Sequence, residues 1–473
     1  MKIHIKNIGM LDEAEFEVGD LTLICGENNT GKTYATYSLY GYLDFMRNIR
    51  DMFLRARRNL FDDNEFLENI GESQREIKIT YEEILKKLKK HLQEKTKLYS
   101  TRILPQIMAG KEEDFSNVEF DVVEEFHISL IDVKEAIKKY LEDGSLNRRY
   151  KRRVQHTIYD NGLSFSGLNQ RSFVEYAETF FDAILHIIFM KNFILSVERT
   201  GASIFQEELD FIKIAKLETM QKMLKEENIG LFEINRTLDK KKQLYPKPVR
   251  DNIAFIRDIK QISKQESIFK KHKDEYKIIF EILGKIIGGK YKATDAGILF
   301  QPKGSKKAYN IEIASSSVRS LLMLNYYIFH IANKNDILMI DEPELNLHPK
   351  NQILVARLLV LLVNAGIKVF ITTHSDYIVR ELSNCIMLHN LSDEQIQKIK
   401  KQGYSKEYGL ESKKVRAYLA ENIKGKNTLR AVEITQEQGI FMETFDEPID
   451  LQNENQGLIF EEVIRGKRSD DDK

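Results

Sequence analysis

The chain has 473 residues, of which 72 are Lys or Arg and 72 are Asp or Glu, so its formal net charge is zero. A chain of this length holds about three domains, or one large domain with an insertion. A net charge of zero excludes a global field that would draw the molecule onto nucleic acid or an anionic membrane, so such binding would need a local patch.

The cysteines and the apolar segments indicate a protein of the cytoplasm. Cys25 and Cys385 lie far apart, with no Cys-x-x-Cys motif and no clustered histidine, which argues against a zinc site or a disulfide framework. The amino terminus lacks the apolar core of a signal peptide, and the most apolar stretch, residues 180–190, is interrupted by Asp182 and His186. We therefore expect a cytoplasmic protein that makes no membrane contact.

The amino-terminal residues alternate between apolar and polar side chains, as strands with one buried face do. This pattern covers residues 2–8 and 14–18, and the apolar run at 21–25 is typical of a strand buried on both faces. A sheet therefore begins at the amino terminus.

Helical periodicity dominates residues 34–291. Charged amphipathic segments at 81–97 and 207–227 are long enough to form paired helices. Residues 156–166 predict one or two short strands, and a helix is predicted over 249–265, after a proline-containing break.

Strand and helix alternate again in residues 292–390, which indicates that the sheet resumes after a large insertion. Alternation in 429–435 and 439–445 predicts a small β-rich cap near the carboxyl terminus. The strands predicted within 292–390 are 297–301, 309–314, 337–340 and 368–372.

The first chemical motif follows the apolar strand 21–25, precedes a predicted helix and matches the pattern GxxxxGK[ST]. Its glycines let main-chain N–H groups turn inward as an anion-binding nest at a helix N-terminus. The lysine reaches the β- and γ-phosphates, and the threonine hydroxyl is placed to ligate Mg²⁺. An ordinary glycine turn is the alternative. The predicted ATP-binding residues are Gly26, Glu27, Asn28, Asn29, Thr30, Gly31, Lys32 and Thr33.

A second motif is the apolar run 337–340 followed by the acid pair Asp341 and Glu342. At the end of a buried strand Asp341 would hold Mg²⁺ through water, so Thr33 and Asp341 are the predicted metal-binding residues. Glu342 would lie beside the γ-phosphate, where a carboxylate can orient and polarise the attacking water. The alternative is a solvated acidic pair, which the intact phosphate loop disfavours.

The segments DEPELNLHP (341–349) and ITTHS (371–375) resemble those of ABC-type ATPases of the SMC, RecF and OLD group. The resemblance implies that Asp341 and Glu342 are the Walker B acid and the catalytic glutamate, and that His374 is the catalytic switch histidine. An imidazole at a strand end can donate to a phosphate oxygen or to the attacking water. Considered alone, His374 would be a structural histidine.

The same resemblance assigns residues 314–320 to the ABC signature. Where that group usually has a serine followed by two glycines, this chain has Ser315, Ser316 and Ser317. Serines at a helix N-terminus still offer N–H and hydroxyl donors to a γ-phosphate, and a plain helix cap is the alternative. The resemblance implies that this segment completes the site of a second protomer, giving a homodimer or higher homo-oligomer through ATP-sandwiched heads.

The resemblance covers residues 1–45 and 290–390 and extends loosely to 198–201 and 246–257, which resemble bacterial AAA-family ATPases of the AAA_15 and AAA_21 type. Within the first extension, Arg199 is either a partner of phosphate or of a carboxylate, or, more simply, a surface charge. The Q-loop glutamine is not assigned, and the candidates include Gln155 and Gln170.

The expected architecture is an α/β fold: an ABC-type P-loop NTPase head with a mixed sheet, a large helical insertion and a small carboxyl-terminal β-rich cap. The expected divisions are the ATPase head (1–45 and 290–390), a mainly helical insertion with paired helices (46–289), the cap (391–465) and a polar tail (466–473).

Two classes of function follow from the resemblance. The favoured one is a slow ATP hydrolase, with ATP and Mg²⁺, that is the ATPase subunit of a bacterial anti-phage defence system. Nucleases of the OLD type carry a Toprim domain after the head, but the residues after His374 lack its acidic pattern. We therefore expect a protein effector, such as a nuclease, that acts in trans, with no requirement for nucleic acid.

The alternative is a DNA-repair or chromosome-maintenance ATPase of the RecF or SMC type that binds duplex DNA. The neutral charge and the absence of a long heptad array weigh against it.

Overall fold

The computed structural model of the chain describes residues 1–53, 76–122, 129–142, 155–166, 180–181, 183–204, 245–295, 297–441 and 451–462. Within these ranges no helix is long and apolar enough to cross a membrane. The predicted paired helix at 207–227 and the polar tail lie outside the described residues.

Strands and helices alternate along the chain. The strands are β1 (Lys2–Ile8), β2 (Leu11–Glu17), β3 (Leu21–Gly26), β4 (Glu76–Thr80), β5 (Glu119–Val122), β6 (Gln155–Tyr159), β7 (Gly162–Ser166), β8 (Asn192–Leu195), β9 (Gly289–Thr294), β10 (Gly297–Pro302), β11 (Tyr309–Asn310), β12 (Ile337–Asp341), β13 (Lys368–Thr373), β14 (Val415–Ile423), β15 (Lys426–Ala431), β16 (Ile434–Thr435) and β17 (Gly439–Ile440). The longer helices are α1 (Lys32–Phe53), α2 (Tyr81–Leu98), α3 (Leu130–Glu142), α4 (Lys247–Arg257), α5 (Lys277–Ile287), α6 (Ser316–Tyr326), α7 (Pro349–Asn364), α8 (Asp376–Leu388) and α9 (Asp393–Ile399). Shorter helical turns are Leu104–Ile107, Arg199–Ala202, Ile259–Ile262 and Ile268–Lys271. Residues 183–188 and 451–462 are also helical.

A mixed sheet of nine strands organises the molecule, in the order β5-β1-β2-β15-β14-β3-β13-β12-β8. β14, β3, β13, β12 and β8 run parallel, whereas β5, β1 and β2 pair antiparallel, as do β15 and β14. The mixed α/β fold predicted from the sequence is therefore confirmed. Parallel strands bring their carboxyl ends to one edge, so the loops after β3, β12 and β13 meet there.

The parallel strands are buried on both faces, which explains their almost continuous apolar sequences. Along β12, Ile337 and Met339 pack into one core with α1, whereas Leu338 and Ile340 pack into a second core with α7 and α8. Successive side chains of a strand point to opposite faces, so one short run supplies both cores. Helices on both faces thus fix where this strand lies.

The carboxyl-terminal strands are not placed as the expected cap. β14 lies in the interior of the nine-stranded sheet, between β3 and β15, and pairs in parallel with the strand that leads into residues 26–33. The predicted strand 429–435 is divided between β15 and β16, and only Gly439–Ile440 of 439–445 forms a described strand. A periodic pattern shows that a strand has one buried face, but it does not reveal which strand is its neighbour.

The expected insertion is not separate from the head, because it contributes both edge strands of the large sheet, β5 and β8. The strands predicted in 156–166 are confirmed as β6 and β7, which form a small antiparallel sheet with β4. α2 confirms the helix predicted at 81–97. The other predicted strands correspond to β10, β12 and β13.

Two predicted elements are shorter in the structure. The helix expected over 249–265 ends at Arg257, because Asp258 has φ −87° and ψ 3° and interrupts the helical path. The strand expected over 309–314 is limited to β11, and Ile311–Ile313 form a 3-10 turn before α6.

We expect a chain that ends at residue 412 to be insoluble or unfolded, because it lacks β14. Val415, Ala417 and Leu419 of this strand are buried. Each large apolar side chain contributes about 1.5–3 kcal/mol, against a total stability of about 5–15 kcal/mol. Soluble yield and thermal unfolding measure the effect.

The matched control is a chain that ends at residue 441, which removes the exposed helix 451–462 and keeps β14 to β17. Its melting temperature should stay close to that of the full chain. A folded protein from the shorter chain would show that β14 is not an integral strand of the sheet.

Candidate functional site

Residues 26–33 form a tight loop between β3 and α1, and its shape requires left-handed backbone at three positions. Gly26 has φ +132°, Asn29 has φ +61° and Gly31 has φ +91°. A Cβ atom on Gly26 would lie 2.1 Å from the carbonyl oxygen of Ala420 in β14, so only glycine fits. Successive conformations of this kind turn main-chain N–H groups inward and create an anion-binding concavity.

Lys32, the first residue of α1, is folded against this loop. Its ammonium group donates to the carbonyl oxygens of Gly26, at 3.0 Å, and Glu27. Burial lowers the pKa of Lys32, and the negative charge of Asp341 is the largest opposing effect. The cation is thus held beside the concavity, close to the acidic end of β12.

Asp341 ends β12 and joins two hydroxyl groups from neighbouring elements. The Thr33 hydroxyl donates to its Oδ2 at 3.1 Å, and the Thr372 hydroxyl of β13 donates to its Oδ1. Burial raises the pKa of Asp341 to about 6, and the hydrogen bonds from Thr372 and Thr33 oppose that rise. Residues 308 positions apart in sequence therefore share one polar cluster.

The pair of Thr33 and Asp341 fits a Mg²⁺ ion. A hydroxyl and a carboxylate oxygen 3.1 Å apart are hard oxygen ligands, and Mg²⁺ in nucleotide sites is held by one or two protein oxygens together with phosphates and water. Within the described ranges no group of three or more His, Cys, Asp or Glu residues is arranged to hold a metal. The remaining ligands would come from the nucleotide and from water.

Glu342 and His374 lie together next to this cluster, as the sequence predicts. Glu342 Oε1 is 3.5 Å from His374 Nε2, and the histidine is the main cause that lowers the pKa of Glu342. The main-chain N–H of His374 donates to Glu344 Oε1 at 2.7 Å. Two carboxylates therefore orient this histidine, one through its main chain and one beside its ring.

The serine segment lies at the start of α6, where it was predicted. Ser315 caps the helix by accepting from the N–H of Val318, and its hydroxyl lies 3.0 Å from that of Ser317. Ser315 and Ser316 are exposed. Among the described residues, no hydrogen bond joins these serines to the phosphate loop or to Asp341, Glu342 and His374 of the same chain.

Arg199 is not the surface charge of the simpler interpretation. It is only 3% exposed, and it donates to the main-chain carbonyls of Asp341 at 2.8 Å and Glu342 at 2.6 Å. Burial lowers its pKa to about 10, so it stays protonated at neutral pH. One signal in the sequence was not used: the apolar run 193–195 before Arg199 lies in β8, and residues that follow a parallel strand lie at the edge where the site forms.

Other contacts at this edge were not foreseen. The Tyr37 hydroxyl of α1 donates to Glu198 at 3.1 Å, and the Ser375 hydroxyl donates to Gln352 of α7. No local pattern marks these partners, because each pair joins two separate elements. Gln155, considered for the Q-loop, lies in the small sheet with β4 and β7, and Gln170 lies outside the described residues.

The profile of the AAA_15 family, described as the AAA ATPase domain, matches residues 1–379. The chain belongs to this ATPase family. The resemblance to AAA_15-type ATPases found in the sequence is thereby confirmed. No curated protein sequence matches the chain.

Several solved structures are similar to this ATPase at low sequence identity. An Smc head bound to the C-winged helix domain of ScpA is 12% identical over 91% of this chain and 97% of that chain, with a TM-score of 0.34. An Smc head domain with an extended coiled coil, bound to the C-terminal domain of ScpA derived from Pyrococcus furiosus, is 11% identical. That match covers 96% of this chain and 98% of that chain, with a TM-score of 0.30. The SMC head domain from Thermotoga maritima is 10% identical over 92% of this chain and 98% of that chain, with a TM-score of 0.28. These TM-scores are low, so the functional proposals below rest on the family and on this chain's own geometry.

We expect Thr372→Val to raise the Mg²⁺ concentration needed for half-maximal ATP hydrolysis by about tenfold, as loss of a charge-assisted hydrogen bond of ~1.5 kcal/mol would do. Without the Thr372 hydroxyl the pKa of Asp341 rises further, and the protonated carboxyl is a poor metal ligand. For wild type too, the requirement should increase as the pH falls through about 6. A magnesium titration of turnover at several pH values measures both effects.

Thr22→Val is the matched control, because Thr22 is equally buried and its hydroxyl accepts from the N–H of Gly19, away from the acidic cluster. It should leave the magnesium requirement unchanged. An unchanged requirement in Thr372→Val would contradict the role given to its hydroxyl.

Proposed function

We propose that this protein is a slow, cytoplasmic, ATP-dependent molecular switch. The observation that carries the proposal is the 3.1 Å hydrogen bond between Thr33 and Asp341, with the pair Glu342 and His374 beside it. In this proposal residues 26–33 bind the phosphates, Thr33 and Asp341 hold magnesium, and Glu342 is the base. Membership of the AAA ATPase domain family supports the same reaction.

In the proposed reaction Glu342 orients a water molecule toward the γ-phosphate. The water oxygen bonds to the γ-phosphorus, the bond to the β-phosphate oxygen breaks, and Glu342 accepts the proton, leaving ADP and inorganic phosphate. His374 lowers the pKa of Glu342, so its carboxylate is ionised at neutral pH. His374 donates to a phosphate oxygen or to the water, and Lys32 balances charge on the β- and γ-phosphates. Mg²⁺ held by Thr33 and Asp341 would neutralise further charge there.

The serine segment acts in trans in this proposal. Ser315 and Ser316 are exposed and make no hydrogen bond to the phosphate loop of their own chain. Their position at the N-terminus of α6 suits the γ-phosphate of a nucleotide held by a second protomer. Two protomers would then enclose ATP, and hydrolysis would release them. Slow turnover fits a switch, because the ATP-bound state must persist long enough to be sensed.

The biological role we propose is that of the ATPase subunit of an anti-phage defence system, in which the ATP-bound oligomer controls a protein effector. The support is the sequence resemblance to OLD-type ATPases together with the family. A DNA-repair or chromosome-maintenance ATPase that binds duplex DNA is the alternative. The zero net charge disfavours it, because binding to phosphate backbones relies on an excess of Lys and Arg at the surface.

Two variants should separate binding from hydrolysis. Glu342→Gln should lower kcat about 100-fold or more while ATP still binds, because it removes the proton acceptor alone. Lys32→Ala should lose ATP binding, because it removes the cation of the loop. Assays of phosphate release and nucleotide binding measure these effects. Unchanged turnover in Glu342→Gln would show that Glu342 is not the catalytic base.

The same proteins test the oligomer. Light-scattering mass with ATP and Mg²⁺ should show a dimer or larger assembly for wild type and a longer-lived one for Glu342→Gln. The mass of Lys32→Ala should be the same with and without nucleotide. Masses that do not respond to ATP in any of the three would contradict the switch.

The defence role predicts that cells expressing this protein with its genomic neighbours resist phage, and that Lys32→Ala abolishes the protection. Efficiency of plating against a panel of phages measures it. If plating is unaffected, whereas the purified protein binds duplex DNA in an ATP-dependent manner and its loss sensitises cells to DNA damage, the repair alternative replaces this role.

A further inference from the structure

Arg199 is a buried cation whose described hydrogen bonds all go to main-chain carbonyls. Its guanidinium group donates to Ser196 at 2.9 Å, Asp341 at 2.8 Å, Glu342 at 2.6 Å and Ser320 at 3.3 Å. These acceptors belong to three separate parts of the chain: the loop after β8, the end of β12 and the first turns of α6. A rigid, planar fork of donors can connect three such elements at fixed distances, which a lysine cannot do.

One of these contacts acts on the proposed catalytic glutamate. Glu342 has φ +53°, a left-handed conformation that costs a non-glycine residue roughly 1–2 kcal/mol. Its N–H donates to the carbonyl of Thr372 at 3.1 Å, and its C=O accepts from Arg199. The carbonyl of Glu342 also accepts from the N–H of Leu345 at 3.1 Å. The residue is thus held from both sides in an unfavourable conformation, and Arg199 is one of the two donors that restrain its carbonyl.

Another contact leads from Arg199 to the serine segment. Arg199 Nε donates to the carbonyl of Ser320, and the Ser320 hydroxyl donates to the carbonyl of Ser317 at 2.9 Å. Ser320 is buried, whereas Ser317 is half-buried at the start of α6. A continuous path of hydrogen bonds therefore runs from Ser317, in the segment proposed to contact the γ-phosphate, to the backbone of Glu342.

We propose that Arg199 is a positioning residue that couples engagement of the serine segment to the placement of Glu342. When Ser317 contacts a phosphate held by the second protomer, a small displacement of the first turns of α6 is transmitted through Ser320 and Arg199. The carboxylate of Glu342 then reaches its working position over the nucleotide of its own chain. This coupling rests on the proposed function, because it requires an ATP-dependent dimer.

The test is Arg199→Lys, which keeps the charge but cannot reach three elements at once. We expect kcat to fall about 100-fold, as a misplacement of about 1 Å of a catalytic group does, while the ATP dissociation constant changes by less than about threefold. Arg357→Lys is the matched control. Arg357 of α7 is also buried, and it donates to Glu381 of α8 and to the carbonyl of Gly403, which follows α9. It should lower the melting temperature and leave kcat unchanged.

A double-mutant cycle tests the coupling itself. Ser317→Ala should lower kcat in wild type but have little further effect in Arg199→Lys, because the path is already interrupted. Ser320→Ala, which removes only the hydroxyl contact to Ser317, should reduce the effect of Ser317→Ala in the same way. This second variant serves if Arg199→Lys does not fold. Effects that multiply independently would overturn the coupling.

The outcomes separate this inference from the proposed function. If wild type neither hydrolyses ATP nor forms an ATP-dependent oligomer, the proposed function is wrong, and the coupling that depends on it is wrong as well. If wild type does both, two results for Arg199→Lys would show that the positioning role alone is wrong. One is an unchanged kcat, and the other is a loss of ATP binding that parallels a loss of thermal stability.

Discussion

The register between β3, β13 and β12 is the constraint on which the site depends. Thr33 follows β3 and Asp341 ends β12, and these two strands are not neighbours, because β13 lies between them. Pairing of Cys25 with Thr373, and of Asp341 with Thr372, aligns the three carboxyl ends at one edge. Alternate side chains of these strands fill two different cores, so a shift by one residue would move each side chain into the opposite core, where it does not fit. Packing of the core thereby sets the positions of the polar groups.

The site itself contains backbone that local preferences oppose. Asn29 and Glu342 both adopt left-handed conformations, and neither is a glycine. Such conformations persist where the surroundings determine them, and here Thr372 and Arg199 hold the Glu342 backbone. A buried cation is costly unless it is compensated, and the neighbouring carboxylates of Asp341, Glu344 and Glu342 provide that compensation. The same contacts therefore compensate the buried charge of Arg199 and hold the backbone of the proposed catalytic glutamate.

The carboxyl-terminal strands are part of the wall of the phosphate loop. The carbonyl of Ala420 in β14 packs against Gly26, and Asn427 in β15 donates to the carbonyls of Asn29 and Met10. These strands lie beyond the residues that the family profile matches, yet they contact the most recognisable motif of the chain. The segment after the family domain thus contributes direct contacts to the phosphate loop.

The sequence by itself determined the candidate site residues and most of the elements that carry them. The phosphate loop needs glycines, an anion-binding lysine and a hydroxyl at set spacings, and these are local properties. The apolar run before Asp341 and Glu342, and the strand before His374, are local as well, so they could be predicted. The mixed α/β class followed from the same alternation of strands and helices.

Only the tertiary structure decided which separate segments meet. The insertion of β14 beside β3, and the connections of Arg199 to Asp341, Glu342 and Ser320, join residues that are distant in sequence. A strand pattern shows that one face is buried, but it does not reveal which strand lies beside it. An arginine in a polar segment cannot be distinguished by sequence from an arginine at the surface. The physical reason is that pairing and burial depend on the packing of the whole chain, whereas periodicity and motif spacing depend on the residues nearby.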